Sequence, residues 1–343
     1  MTGKFEFNGN TVPSGATEHF RFEITETYLG DPVEIPVSIV NGDEDGKTVF
    51  LTAAIHGDEL NGIEVVRSVA RDWDNTDLKG TLICLPVLNV PGFQRQERYL
   101  PVQDRDLNRA FPGNSSGISS SRIAMKIWET FIQKCDIGID FHTSTRGRTN
   151  MFHVRGDLDN KRVERLARAF GANIILNGEG SEGTLRREAT QAGIPTITVE
   201  MGQAHRFERE QIERALEGIK SVFAEYGMYE TETVNWPGWT ETIEGWDEKT
   251  WIRADSGGLV EFKCTVGDLV EEGDQICIIS SPFENEKTIT EAPFTGLAVG
   301  LLRNPVVYPG NPICHFVKPQ DKTVEIIKMI ENDEQGSLIN DED

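Results

Sequence analysis

No apolar run in this 343-residue chain approaches the length of a membrane-spanning helix, and Met1-Thr-Gly-Lys-Phe-Glu-Phe-Asn8 lacks the basic and apolar regions of a secretory signal. Both absences lead us to expect a cytoplasmic protein. Cysteine is scarce: Cys84, Cys135, Cys264, Cys277 and Cys314 show no close metal-binding spacing, and their odd number argues against a complete disulfide framework. Buried free thiols are expected instead. Cations are also in deficit. Lys and Arg number 34 against 56 Asp and Glu, a formal net charge of −22, which disfavours nucleic-acid phosphates and anionic membrane surfaces as partners. The same field repels an anionic substrate, so a cleft that takes one must reverse the potential locally with arginines.

A hydrophobic content of 38% over this length suffices for a large core and favours two domains over one. Short strands separated by Gly30-Asp-Pro32 and Asn41-Gly-Asp-Glu-Asp-Gly46 fill residues 18–55. Strands near 81–88, 136–141, 173–176 and 194–199 then alternate with helical stretches near 61–72, 118–133, 160–169 and 207–226. This pattern predicts an α/β fold: a mostly parallel mixed sheet with helices on both faces. We expect this catalytic domain over 1–230, a Trp-rich connecting segment over 231–252, a small all-β domain over 253–318 and an acidic tail over 319–343 that frays from Glu331 onward. Trp236, Trp239, Trp246 and Trp251 suit packing where two domains meet, with an aromatic ligand wall as the rival role.

Three apolar runs end in chemistry-bearing residues. Val49-Phe-Leu-Thr-Ala-Ala-Ile55 leads into His56-Gly-Asp-Glu59; Cys135-Asp-Ile-Gly-Ile-Asp-Phe leads into His142; Gly193-Ile-Pro-Thr-Ile-Thr-Val leads into Glu200. In open α/β sheets ligands bind at the C-terminal strand edge, so residues far apart in sequence converge there. The arrangement offers His56, Glu59 and His142 as ligands for one zinc ion, with a fourth position for water, and Glu200 as a free carboxylate for proton transfer. His153 and His205 lack such context and are expected to be satisfied polar residues.

The segments His56-Gly-Asp-Glu59, Arg98 with Asp106-Leu-Asn-Arg-Ala-Phe-Pro-Gly113, Asp140-Phe-His-Thr143 and Thr198-Val-Glu-Met-Gly202 stand in the order of the succinylglutamate desuccinylase and aspartoacylase family. The chain resembles that family over roughly residues 18–318, and the family is related to zinc carboxypeptidases. The resemblance implies that Arg98 polarises the scissile carbonyl, with Arg105 as its rival in a long loop. It implies too that Asn108 and Arg109 hold the substrate carboxylate, a task suited to the guanidinium fork. Asp106 is expected to brace that arginine or a metal ligand. Arg187, with Arg186 beside it, stands where it can reach a second acidic group.

An internal repeat marks the C-terminal part. Val270-Glu-Glu-Gly-Asp-Gln-Ile-Cys277 and Val307-Tyr-Pro-Gly-Asn-Pro-Ile-Cys314 resemble the two halves of lipoyl and biotinyl carrier domains. Lys287 lies too close to Ala292-Pro293 for the modified lysine of a carrier, and Asn285 takes its place. We therefore expect the barrel without the prosthetic group.

The function these residues predict is zinc-dependent hydrolysis of the amide bond of a small N-acyl amino acid, with Glu200 and Arg98 catalytic. A metallocarboxypeptidase acting on short peptides and a non-catalytic binding or carrier module are the alternatives. Self-association into a homo-oligomer stays open, as does the identity of the acyl group.

Overall fold

The structure, a computed structural model, describes residues 3–73, 77–230, 236–245 and 248–340. Its strands in the first part are β1 (Phe5–Phe7), β2 (Asn10–Val12), β3 (Ala16–Glu26), β4 (Pro32–Asn41), β5 (Glu44–Ala53), β6 (Lys79–Leu85), β7 (Ile137–Ser144), β8 (Arg148–Gly156), β9 (Ile174–Asn177) and β10 (Thr196–Gln203). The helices α1 (Asn61–Asp72), α2 (Val90–Arg95), α3 (Ser119–Thr130), α4 (Lys161–Phe170), α5 (Leu185–Gln191) and α6 (Arg209–Glu225) alternate with them. In the second part come β11 (Glu241–Ile243), β12 (Lys249–Arg253), β13 (Gly258–Phe262), β14 (Leu269–Val270), β15 (Gln275–Ser280), β16 (Lys287–Glu291), β17 (Gly296–Leu302), β18 (Val306–Val307), β19 (Pro312–Val317) and helix α7 (Asp321–Asn340).

The sheet runs β8-β10-β7-β5-β6-β4-β3, with β10, β7, β5 and β6 mutually parallel, β8 antiparallel to β10 but parallel to β9, and β4 and β3 antiparallel to their neighbours. Its central strands read as continuous apolar runs because both faces are covered. Val65, Val66 and Val69 of α1 join Val163 and Leu166 of α4 and Ile219 and Val222 of α6 on one face. Ile123 and Ile127 of α3 with Leu185 and Ala189 of α5 cover the other. The expected mixed sheet with helices on both faces is what forms.

The C-terminal part is a sandwich of two sheets. One is β16-β15-β13-β18; the other, β12-β19-β17 with β14, packs onto it through Ile276, Ala298, Cys314 and Phe316 and through Cys277, Ile279 and Ile313. Both repeated cysteines, Cys277 and Cys314, are buried there, one in each sheet. Lys287 opens β16 opposite Ser280, and Asn285 lies in the turn before it.

Two features differ from the sequence expectation. Gly300, Leu301 and Leu302 of β17 pair antiparallel with Asn150, Thr149 and Arg148 of β8, so one sheet of the sandwich continues the catalytic sheet. In the described part of the connecting segment β11 pairs with β9, and Trp239 packs near Ile174 and Leu297 as expected of a tryptophan there; Trp246 lies outside the described residues. The tail forms α7 from Asp321, and Ile327 is buried with Leu297 and Val317. Acidic composition masked an amphipathic first half of that helix.

Close packing at the sheet centre gives a stability test. A Cβ at Gly138 on β7 would sit 2.0 Å from the Phe50 ring on β5. Gly138→Ala should lower unfolding stability by about 1–3 kcal/mol through overpacking, seen as a lower urea midpoint at unchanged slope. An unchanged midpoint would show that β5 and β7 yield there freely.

Candidate active site

The parallel register of β5, β7 and β10 assembles the site. Thr52 pairs with Asp140 and Glu200 with His142, so the three strand exits lie side by side. After β5 the chain turns sharply through Ala54, at φ 45°. Gly57 follows where only glycine fits, because a Cβ there would lie 2.0 Å from the Gly92 backbone. The turn delivers His56 and Glu59 beside His142.

These three side chains are buried, and their donor atoms all lie within 4.8 Å of one another. His56 Nδ1 is 2.7 Å from Glu59 Oε1 and His142 Nδ1 is 2.9 Å from Glu59 Oε2. The far ring nitrogens face acids: His56 Nε2 is 3.2 Å from Asp106 Oδ1, and His142 Nε2 is 2.8 Å from Asp140 Oδ2. Asp140 is itself held by the Thr52 hydroxyl, which donates to Oδ1 at 2.7 Å. A ring that gives its Nε2 proton to a carboxylate turns the lone pair of Nδ1 toward Glu59, and lone pairs crowd against carboxylate oxygens unless a cation lies among them. Two imidazoles and one carboxylate, each oriented by a second acid or hydroxyl, therefore fit a divalent metal.

When protons take the place of that cation, the rings carry the charge themselves. Burial would raise the Glu59 pKa, but the charges of His56 and His142 and their hydrogen bonds hold it well below the usual carboxylate range. Burial likewise opposes charge on His142, and Asp140 and Glu59 outweigh it, holding the ring well above the usual value. Glu59 also accepts from Arg98 Nη1 at 2.8 Å and from the Thr143 amide at 3.0 Å.

Glu200 lies in the same cleft, of about 410 Å³. Asn150 Nδ2 donates to its Oε2 at 3.0 Å, and Arg155 Nε stands 3.3 Å from its Oε1. Asn108 and Arg109, on the 3₁₀ turn Leu107–Arg109, line the cleft. The Asn108 side-chain carbonyl accepts from the Leu185 amide at 2.9 Å, which locks the turn against α5. Thus His56, Glu59, His142, Glu200, Arg98, Asn108 and Arg109 come together as the sequence predicts.

Arg187 does not join them. It lines a separate groove with Glu182 and Glu188, and its Nη2 is 3.5 Å from Glu179. Helical periodicity turns its neighbour Arg186 inward instead, where Nη1 donates to Gly178 O at 2.7 Å. Arg105, the rival of Arg98, is exposed and bridges to Leu100. His153 is buried with Nδ1 donating to Met151 O, but its Nε2 has no partner among the described residues, so it is only half satisfied. Sequence reasoning missed Arg148, Asn150 and Arg155 in the cleft wall, where Trp251 takes the rival role set out for the tryptophans, an aromatic ligand wall. A signal was present in β8, where Arg148, Asn150 and Arg155 flank the apolar residues Met151, Phe152 and Val154.

Comparison with known proteins puts this chain in a family of deacylating hydrolases. Residues 45–226 match the succinylglutamate desuccinylase/aspartoacylase catalytic domain, and the chain belongs to that family. Among curated relatives, the N-alpha-acetyl-L-2,4-diaminobutyric acid deacetylase of Halomonas elongata is 28% identical over 254 residues, covering 71% of this chain and 73% of that protein. A succinylglutamate desuccinylase of Burkholderia orbicola is 29% identical over 192 residues, 51% of this chain and 55% of its own length. Two solved structures share the fold. The succinylglutamate desuccinylase of Silicibacter sp. TM1040 superposes at a TM-score of 0.79 with 24% identity, covering 89% of this chain and 95% of that one. The product-bound ectoine utilization protein EutE (DoeB) of Ruegeria pomeroyi superposes at 0.78 with 22% identity, covering 88% and 95%.

Asp106 offers a pH test of this network. Burial would raise its pKa, but the hydrogen bond with His56 and the charges of His56, Arg98 and Arg109 pull it from 3.8 down to about 2. A depressed carboxylate stabilises the fold fully above pH 3.8, and the contribution is lost as pH falls toward about 2. Asp106→Asn should therefore cost about 1–2 kcal/mol at neutral pH, with the gap to wild type closing only below about pH 4. Urea titrations across that range check this; a gap independent of pH would remove the charge from the explanation.

Proposed function

We propose that this chain is a zinc-dependent amidohydrolase that removes the acyl group from a small N-acylated amino acid. The observation that carries the proposal is the convergence of both Nδ1 atoms on the Glu59 carboxylate, with Glu200 in the same cleft. His56, Glu59 and His142 would hold one zinc ion, a set of three protein ligands that leaves a position open. When bound, zinc supplies Lewis acidity, lowering the pKa of water and polarising a carbonyl.

The remaining steps belong to the chain's own groups. Glu200, held by Asn150 and Arg155, takes the proton of the attacking water and returns it to the departing amine, which leaves protonated. Arg98 places a guanidinium where negative charge develops on the acyl oxygen. Asn108 and Arg109 fix the amino-acid carboxylate so that the amide lies against the reacting groups. Arg186 replaces Arg187 as the cation of the inner wall. The cleft volume of about 410 Å³, with Trp251 in its wall, suits a small acylated amino acid better than a polypeptide. The Halomonas relative, by its name, deacetylates a substrate of this size. No helix among the described residues is long and apolar enough to cross a membrane, and four of the five cysteines are buried free thiols, which suits a cytoplasmic enzyme.

Metal analysis of purified protein should give one zinc per chain, and His142→Ala should lose most of it. Unchanged metal content in that variant would rule out the ligand set. Glu200→Gln keeps the side-chain shape and removes the base, so turnover should fall at least about a hundredfold while metal stays bound. Near-normal turnover would place the base elsewhere.

A further inference from the structure

Five guanidiniums line the cleft of a chain whose net charge is −22, and they are not equivalent. Arg98 is bonded to Glu59, and Arg155 stands beside Glu200. Arg109 lies 4.0 Å from Asp106. Among the described residues, Arg148 and Arg186 have no carboxylate within 4.0 Å. Arg186 is sunk in the wall, whereas Arg148 is half-buried at the cleft surface.

Arg148 is nonetheless held in place. Its Cζ stands 5.0 Å over the Trp251 ring, and its Nη2 donates to Pro312 O at 3.0 Å. Trp251 in turn stacks on His315, with ring centroids 4.6 Å apart and planes at 11°. The register of β12 against β19 pairs those two residues, so the sandwich itself fixes the stack. Burial, with Arg155 and Lys249 nearby, pushes the His315 pKa down to about 3, which leaves a neutral ring under the indole. The outcome is a guanidinium pre-oriented by a π face and one carbonyl, with its other donors open to an acceptor. Holding an unpaired cation in a half-buried wall is unfavourable in itself, since burial and Arg253 both disfavour its charge. An anionic ligand relieves that cost.

We propose that Arg148, braced by Trp251, is a specificity-determining residue that binds an acidic group of the substrate other than the α-carboxylate held at Asn108 and Arg109. The inference rests on the deacylase reading and narrows it: the substrate carries a second carboxylate, on the acyl chain or on the amino-acid side chain. A substrate with a cationic side chain meets repulsion at this wall.

The test compares N-succinyl-L-alanine, N-acetyl-L-aspartate, N-acetyl-L-alanine and N-acetyl-L-2,4-diaminobutyrate on the metal-loaded enzyme, measuring released amine for wild type, Arg148→Gln, Arg148→Lys and Trp251→Leu. Wild type should prefer an acid-bearing substrate over N-acetyl-L-alanine. Preference for the succinyl compound puts the second acid on the acyl chain; preference for the aspartate puts it on the side chain. Arg148→Gln and Trp251→Leu should each reduce the ratio of kcat/KM between acidic and neutral substrates about ten- to a hundredfold, through KM, and Arg148→Lys should restore part of it. An equal loss on all substrates marks Arg148 as structural and overturns the proposal, as does wild-type preference for the diaminobutyrate compound. If no substrate releases amine, the deacylase reading fails by itself. Calorimetry with succinate and L-aspartate then decides this inference: binding to wild type that disappears in Arg148→Gln supports it, and binding insensitive to the substitution overturns it.

Discussion

A carboxylate sealed from water between two imidazoles is the constraint on which the rest of this cleft depends. Glu59 is only 1% exposed, and burying an anion so completely is costly unless cations and donors surround it. Here His56, His142, Arg98 and the Thr143 amide do so. Each of those partners is fixed in turn by something further out: Asp140 and Thr52 behind His142, Asp106 behind His56, Thr145 beside Arg98. Removing one layer leaves the next with an uncompensated buried charge, so the network specifies its own geometry.

The electrostatic contrast between surface and cleft follows from the same economy of burial. Carboxylates dominate the chain, yet the wall around Glu200 is built from guanidiniums delivered by four separate places: the loop before Leu107, the 3₁₀ turn, β8 and α5. The C-terminal sandwich takes part in that wall. Because β17 extends the sheet from β8, Trp251 and Pro312 are carried to the face where Arg148 emerges. A sandwich of this shape is thus a structural component of the cleft, and the hairpin tip of a carrier domain is put to no such use.

Much of this was legible in the sequence because burial on both faces of a parallel sheet writes a distinctive pattern. Val49 to Ile55, Ile137 to Phe141 and Ile194 to Val199 are predominantly apolar runs, and each is followed by a polar residue at the strand edge where α/β folds bind ligands. That pattern is why His56, Glu59, His142 and Glu200 could be picked out together. It failed for the tail, where charge obscured helical periodicity, and for α5, where two adjacent arginines point to different sides of one turn and only packing of Leu185 and Ala189 against the core decides which.

What the sequence by itself determined is the alternation of elements, the strand-end residues and the deficit of positive charge, because these depend on local periodicity and composition. Tertiary structure alone decided which arginines face the cleft and which are paired with acids. It also decided that Trp251 braces Arg148, since that contact joins β8 to β12 and β19 across more than a hundred residues of chain. Contacts of that separation are set by sheet register and side-chain packing, and neither leaves a mark at fixed spacing in the sequence.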